Sequence, residues 1–122
     1  MLPLCQGKKR SIVWGADSNG RYRGKEYFDK LDIEDQAKFA PPFNHLCNEL
    51  RIHNDTRFKK EIDGIYCFKS GRHRLACFFD DGQIVIISGF EKKTRRDRRS
   101  KTKLEIAVRL RDDYLKQKEN LK

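Results

Sequence analysis

Residues 64–94 read GIYCFKSGRHRLACFFDDGQIVIISGFEKKT, and the reading of this stretch decides the fold. Ile65–Phe68, Arg72–Phe79 and Gln83–Phe90 are apolar runs of strand length, separated by Ser70-Gly71 and Asp81-Gly82. Glycine in such dipeptides accepts the positive φ that a tight hairpin turn requires, so the spacing predicts three consecutive antiparallel strands. With two-residue loops at both turns, Asp80 falls opposite Gln83, Phe78 opposite Val85, Ala76 opposite Ile87 and Arg74 opposite Gly89. The same count sets Cys67 opposite Arg74, His73 opposite Phe90 and Arg72 opposite Glu91. Alternation then places Ala76, Phe78, Val85, Ile87 and Arg74 on one face. Leu75, Cys77, Phe79, Ile84 and Ile86 share the other. Both faces are apolar, so helices or a further strand must cover each of them.

Outward from the meander, Lys9–Ala16 centres on Ile12, Val13 and Trp14 and predicts a first strand, followed by a turn at Asp17-Ser18-Asn19-Gly20. Arg23–Leu31 carries Tyr27, Phe28 and Leu31 at helical spacing. Asp32 can cap a second helix starting at Ile33, with Ala37, Phe39 and Ala40 toward the core. Pro41-Pro42 interrupts that helix, and a new one is expected over Pro42–Leu50, with Phe43, Leu46, Cys47 and Leu50 on one stripe. His53–Glu61 reads as a loop anchored by Phe58. A last helix is expected from Lys103 to Gln117, with Leu104, Ala107, Val108, Leu110, Tyr114 and Leu115 packing on the sheet. The two ends and the basic run after Thr94 are the segments expected to carry least order.

A chain of 122 residues is one domain, long enough for a single core. Hydrophobic residues make up 37% and charged ones 38%, so a compact core lies under a heavily charged surface. Twenty-eight Lys and Arg against 18 Asp and Glu leave a net +10, which favours an anionic partner, nucleic acid first. An anionic membrane surface or an acidic protein would answer the same charge. From Glu91 to Lys103 there are eight basic and two acidic residues, net +6, so over half of the excess sits in this short run. The sequence has no apolar run long enough to span a bilayer, and Met1–Arg10 lacks the apolar centre of a signal peptide. The chain is therefore expected in the cytoplasm, away from membranes. Cys5, Cys47, Cys67 and Cys77 form no Cys-x-x-Cys pair, and His45, His53 and His73 are scattered. Neither a metal site nor a cofactor is expected, and the cysteines read as small buried hydrophobes.

The polar exception in the meander is its open end. There Arg72 and Arg74 arrive beside Lys92 and Lys93, and Lys59 and Lys60 lead into the first of the strands from the same end. Cations converging around an exposed Phe90 would suit a phosphodiester backbone with a stackable base. A cationic edge that merely discourages strand pairing is the plain alternative. Arrival from separate strands, next to the run containing Arg95 and Arg96, favours a site.

These residues resemble a known family. Gly71-Arg72-His73-Arg74-Leu75, Phe78-Phe79-Asp80-Asp81-Gly82 and Gly89-Phe90-Glu91-Lys92-Lys93-Thr94 are similar to the phage-derived Gp49-like, or HigB-like, branch of the RelE/ParE toxin superfamily. Asp17-Ser18-Asn19-Gly20, Glu105-Ile106-Ala107 and Arg111-Asp112-Asp113-Tyr114-Leu115 extend the resemblance to about residues 11–115. It implies a compact α/β (α+β) fold, with an N-terminal strand and helices packed on an antiparallel sheet and a C-terminal helix. It further implies the toxin of a type II toxin–antitoxin pair that cleaves mRNA, often on the translating ribosome, and is neutralised by a cognate antitoxin, here expected to be a helix-turn-helix protein. By position, Arg74 matches the family's basic residue on the middle strand, Lys92 and Lys93 its basic pair, and Tyr114 its C-terminal helix aromatic. Three positions depart from the pattern: Cys67 stands where Glu is usual, Lys69 where Arg is usual, and Pro41-Pro42 breaks a helix.

RNA cleavage needs no metal, because the 2′-hydroxyl can attack the adjacent phosphate in line. A protein must then help remove a proton and stabilise phosphoryl charge. Arg74, Lys92 and Lys93 are the expected catalytic residues. Arg74 would hold the phosphate and one of the lysines would act as base, its pKa lowered by neighbouring cations. Lys59, Lys60, Arg72, His73, Phe90, Arg95, Arg96 and Tyr114 are the expected RNA-binding residues, with Phe90 or Tyr114 stacking on a base. His73 titrates conveniently, but alternation points it away from Arg74. Two other functions fit the same fold and charge: a ParE-like inhibitor of DNA gyrase without catalysis, and a plain basic nucleic-acid-binding module.

Overall fold

The computed structural model describes residues 1–49, 57–93 and 98–121. In chain order its elements are β1 (Leu2–Gln6), β2 (Ser11–Trp14), α1 (Arg23–Asp29), α2 (Ile33–Lys38), α3 (Ala40–Asn48), β3 (Phe58–Ile62), β4 (Ile65–Ser70), β5 (His73–Asp80), β6 (Gln83–Glu91) and α4 (Arg99–Asn120). The strands form one six-stranded sheet in the order β1-β2-β6-β5-β4-β3. The mixed α/β architecture expected from the meander is present, with a C-terminal helix on the sheet. One detail differs: β2 lies parallel to β6 within an otherwise antiparallel sheet. The crossover through α1, α2 and α3 makes that parallel pairing possible.

Turn geometry explains which pairings the sequence reading placed correctly. Asp81 and Gly82 both have positive φ (48° and 74°), the two-residue loop that sets Asp80 opposite Gln83. Asp63 and Gly64 (47° and 77°) do the same between β3 and β4. At the third turn only Gly71 has positive φ (58°), which puts glycine first in the loop. The loop is therefore Gly71-Arg72 instead of Ser70-Gly71. Ser70 pairs with His73, and Lys69, not Cys67, lies opposite Arg74.

A bulge makes the second correction. Cys77 pairs with Ile86 and Ala76 with Ser88, leaving Ile87 as the extra residue on β6. Arg74 consequently faces Phe90, and His73 faces Glu91. Two further strands lie where irregular chain was expected. Leu2–Gln6 forms the edge strand β1, and Phe58–Ile62 forms the edge strand β3.

Two apolar layers cover the two faces. Leu75, Cys77, Ile84 and Ile86 pack under Phe39, Phe43, Leu46 and Cys47 on one side. Ala76, Phe78, Val85, Ile87 and Phe90 pack under Leu104, Ala107 and Leu110 of α4 on the other. Burying each large side chain contributes about 1.5–3 kcal/mol relative to exposure. Asp32 caps α2 by accepting the Asp35 N–H at 2.8 Å, as its sequence position suggests. Phe39 is buried, but Ala37 and Ala40 are exposed, contrary to their expected core positions. The prolines sit in the first turn of α3, where a missing N–H removes no helical bond. Leu50 lies outside the described residues.

Helix α4 starts at Arg99 and runs to Asn120, longer at both ends than its apolar spacing alone marks. Its C-terminal half is tied to the far end of the sheet. Lys118 reaches Asp80 and Asp81 at 2.7 Å each, and Arg111 reaches the Asp63 carbonyl. Its N-terminal half, through Leu104, shares a cluster with Phe90. The basic start of α4 is thus directed toward the end of the sheet where β4 turns into β5.

Candidate nucleic-acid interface

At that end, strand pairing aligns Lys69, Arg74 and Phe90 across β4, β5 and β6. The next row on the same face is Lys59, Cys67, Ala76 and Ser88. The Cys67 thiol marks the centre of the charged groups here. Burial pushes its pKa up to about 12 and the Glu61 carboxylate pushes the same way, while Lys69, Arg74 and Lys92 pull against them. A thiol held there stays neutral at pH 7, so Cys67 is a small apolar floor and no nucleophile. Three cations and one carboxylate thus act on it electrostatically.

Lys69 and Glu61 form a bridge of 3.1 Å, with only 16% and 23% of their side chains exposed. Low exposure makes this pair stiffer than an ordinary surface ion pair. Neither belongs to the site residues expected from the sequence, because the one-residue error in the β4–β5 loop put Lys69 off the Arg74 row. Correct turn chemistry at Gly71 is the signal that would have found Lys69; Glu61 required seeing that β3 is a strand. Arg74 Nη1 donates to the carbonyls of Gly71 (2.7 Å) and His73 (3.0 Å), which holds its guanidinium at the sheet end. Lys92 is tied to the same turn by its N–H, which donates to the Arg72 carbonyl at 2.7 Å. Arg72 itself is exposed and lies 3.9 Å from Glu91.

The other face of the same end carries different chemistry. Tyr27 Oη lies 2.7 Å from His73 Nδ1, and His73 Nε2 lies 3.4 Å from Asp35 Oδ2. One residue comes from α1, one from β5 and one from α2. Gly89 makes the seat for Tyr27: a Cβ there would stand 2.7 Å from the ring, far inside contact distance. The Tyr27 phenol is pushed up to about 12 by burial and then by Glu91, with Arg74 opposing and Asp35 adding to the rise. Tyr27 also lines a groove of about 240 Å³ with Arg21, Arg23, Glu26, Lys30 and Gly89.

The remaining expected residues divide by place. Lys59 shares the Cys67 row on the α4 face, whereas Lys60, opposite Tyr66, points to the other face; both are exposed on β3. Lys93 is exposed beyond the end of β6. Arg95 and Arg96 lie outside the described residues. The two aromatics are not beside the cations as accessible platforms. Phe90 is 6% exposed and belongs to the core under α4. Tyr114 packs on Phe78 at 5.6 Å, toward the opposite end of the sheet, near Asp80 and Lys118. Among the described residues no three His, Cys, Asp or Glu side chains are grouped to hold a metal ion, and no helix is long and apolar enough to cross a membrane. No protein-family model and no curated protein matches the chain.

Proposed function

We propose that this chain is an endoribonuclease that cleaves mRNA in the cytoplasm, as the toxin of a type II toxin–antitoxin pair. One observation carries the reading: strand pairing sets Lys69 of β4 opposite Arg74 of β5, and Lys92 at the end of β6 is tied to the same turn, in a chain of net charge +10. Such a cluster attracts a polyanion and holds its phosphates in register. Arg74 binds the scissile phosphate through the guanidinium edge that the Gly71 and His73 carbonyls do not occupy. Lys69 and Lys92 stabilise the charge that builds on the phosphoryl oxygens. The 2′-hydroxyl attacks phosphorus, the bond to the 5′-oxygen breaks, and a 2′,3′-cyclic phosphate is left on the upstream fragment. The message on a translating ribosome is the substrate, and an acidic segment of a cognate helix-turn-helix antitoxin covers the cations to neutralise them.

The test is to induce the chain in cells, map message 5′ ends within minutes, and assay gyrase-dependent DNA breaks in parallel. New message ends without DNA breaks are the expected result. DNA breaks without new message ends would replace this reading with a gyrase-directed toxin.

A further inference from the structure

The proposed cleavage requires a group that accepts the 2′-hydroxyl proton, and the cations around Cys67 are poor acceptors while protonated. We propose that Tyr27, His73 and Asp35 form the proton relay for this reaction, with Tyr27 as the catalytic residue that meets the substrate. The inference rests on the endoribonuclease reading above and adds residues from the opposite face of the sheet.

Three observations carry it. The Tyr27 hydroxyl lies 2.7 Å from His73 Nδ1, and Asp35 lies 3.4 Å from Nε2, so the relay uses the tautomer with its proton on Nε2, toward the carboxylate, and Nδ1 as the acceptor. Arg74 is common to both faces: its guanidinium donates to the His73 carbonyl and acts electrostatically on both Cys67 and Tyr27. A phosphate on Arg74 therefore sits at the sheet end, between the cation cluster and the phenol. Finally, Tyr27 opens into the groove lined by Arg21, Arg23 and Lys30, cations that can take the next phosphate of the strand. Arg21 and Arg23 are held there by Glu26 and Asp17.

The proton balance closes within these groups. The 2′-hydroxyl gives its proton to Tyr27 Oη as the Tyr27 proton passes to His73 Nδ1. The 2′-oxygen bonds to phosphorus, and the departing 5′-oxygen takes a proton from the Lys92 ammonium or from water. The imidazolium so formed is stabilised by Asp35 and then returns its proton to solvent. Tyr27 never has to ionise fully, which suits a phenol whose burial disfavours the phenolate. The charged and titratable groups facing the relay are Glu91 from β6, Arg72 and Arg74 from the β5 end, Asp35 with its partner Lys38 from α2, and Glu26 and Lys30 around α1.

The test uses single-turnover cleavage of mRNA loaded on ribosomes, measured together with RNA affinity for the full chain and for Tyr27→Phe, His73→Gln and Asp35→Asn. Removing a positioned proton acceptor lowers rates by about 10²–10⁴, so Tyr27→Phe and His73→Gln are expected to lose at least about 100-fold. RNA affinity and thermal unfolding should remain close to the parent. The loss should fall on the cleavage step, with the bound fraction of RNA unchanged. Asp35→Asn, half-buried on α2, should keep part of the rate. Undiminished cleavage by folded Tyr27→Phe or by folded His73→Gln would overturn the relay alone. No cleavage by the parent chain would overturn the endoribonuclease reading and the relay with it.

Discussion

The two faces of the sheet at the β4–β5 turn are separated by one residue of β5. Arg74 serves the side with Lys69, Lys92 and Glu61, and His73 serves the side with Tyr27 and Asp35. The first side concentrates positive charge around a dry, neutral thiol. The second holds Tyr27 hydrogen-bonded to His73, with Asp35 3.4 Å from the ring, the groups of the proposed relay. Strand alternation forces this division, because neighbouring side chains on β5 must point to opposite faces. The end of the sheet is where it can be undone, and there Arg74 curls back onto the Gly71 and His73 carbonyls. In the proposed reaction, charge and proton transfer are thus built on separate scaffolds and joined at one guanidinium.

Outside the relay itself, removing the shared residue should do the most damage. Arg74→Ala is expected to lower cleavage by about 10²–10³, the loss typical of one group that stabilises transition-state charge, with circular dichroism unchanged. A folded Arg74→Ala that cleaves normally would dissolve the link between the faces. Next comes Gly89→Ala, which drives a methyl into the Tyr27 ring. Overpacking of this kind costs about 1–3 kcal/mol, visible in denaturant midpoint, and the displaced phenol should also slow cleavage. Because Lys69 and Lys92 lie at the other face, most of the RNA affinity should hold. Lys92→Ala sharpens the contrast from the other side: affinity should weaken across all sequences and the salt dependence of binding should fall by about one charge.

The two faces also differ in how they respond to alkali. Burial raises the Cys67 thiol from 9.0 to about 12 and the Tyr27 phenol from 10.0 to about 12, so folding prefers the neutral form of both. That stability is complete below the unfolded pKa and is lost as pH rises through the folded value. For Cys67 the window opens at 9.0 and for Tyr27 at 10.0, both closing near 12. Cys67→Ala and Tyr27→Phe should each flatten part of the alkaline decline in thermal stability. At neutral pH Cys67→Ala should leave cleavage unaltered, the smallest effect of all, since its thiol does no chemistry.

Legibility followed the turns. The Asp81-Gly82 loop was readable because both residues take positive φ, and from it followed the apolar faces of β5 and β6. The Ser70-Gly71 dipeptide was ambiguous: glycine serves either position of a two-residue loop, and the choice moves every pairing on β4. The bulge at Ile87 has no dipeptide signature, since Ile-Ile-Ser continues an apolar run without a break. The turn hid Lys69, the loop reading of His53–Glu61 hid Glu61, and the bulge misplaced Phe90 as an accessible ring. Arg74 and Lys92 were placed together despite the register errors, because both lie at the open end in any nearby register. Tyr27 meeting His73 was beyond sequence reasoning, as it depends on how α1 crosses β6 at Gly89.

The chemical nature of the ends produced on a cleaved message tests the central claim most directly. Attack by the 2′-hydroxyl on a phosphate held by Arg74 leaves a 2′,3′-cyclic phosphate upstream and a 5′-hydroxyl downstream. Downstream fragments from message-loaded ribosomes treated with the pure chain should therefore accept label from polynucleotide kinase without prior dephosphorylation. Fragments carrying a 5′-phosphate, or intact messages, would contradict the account.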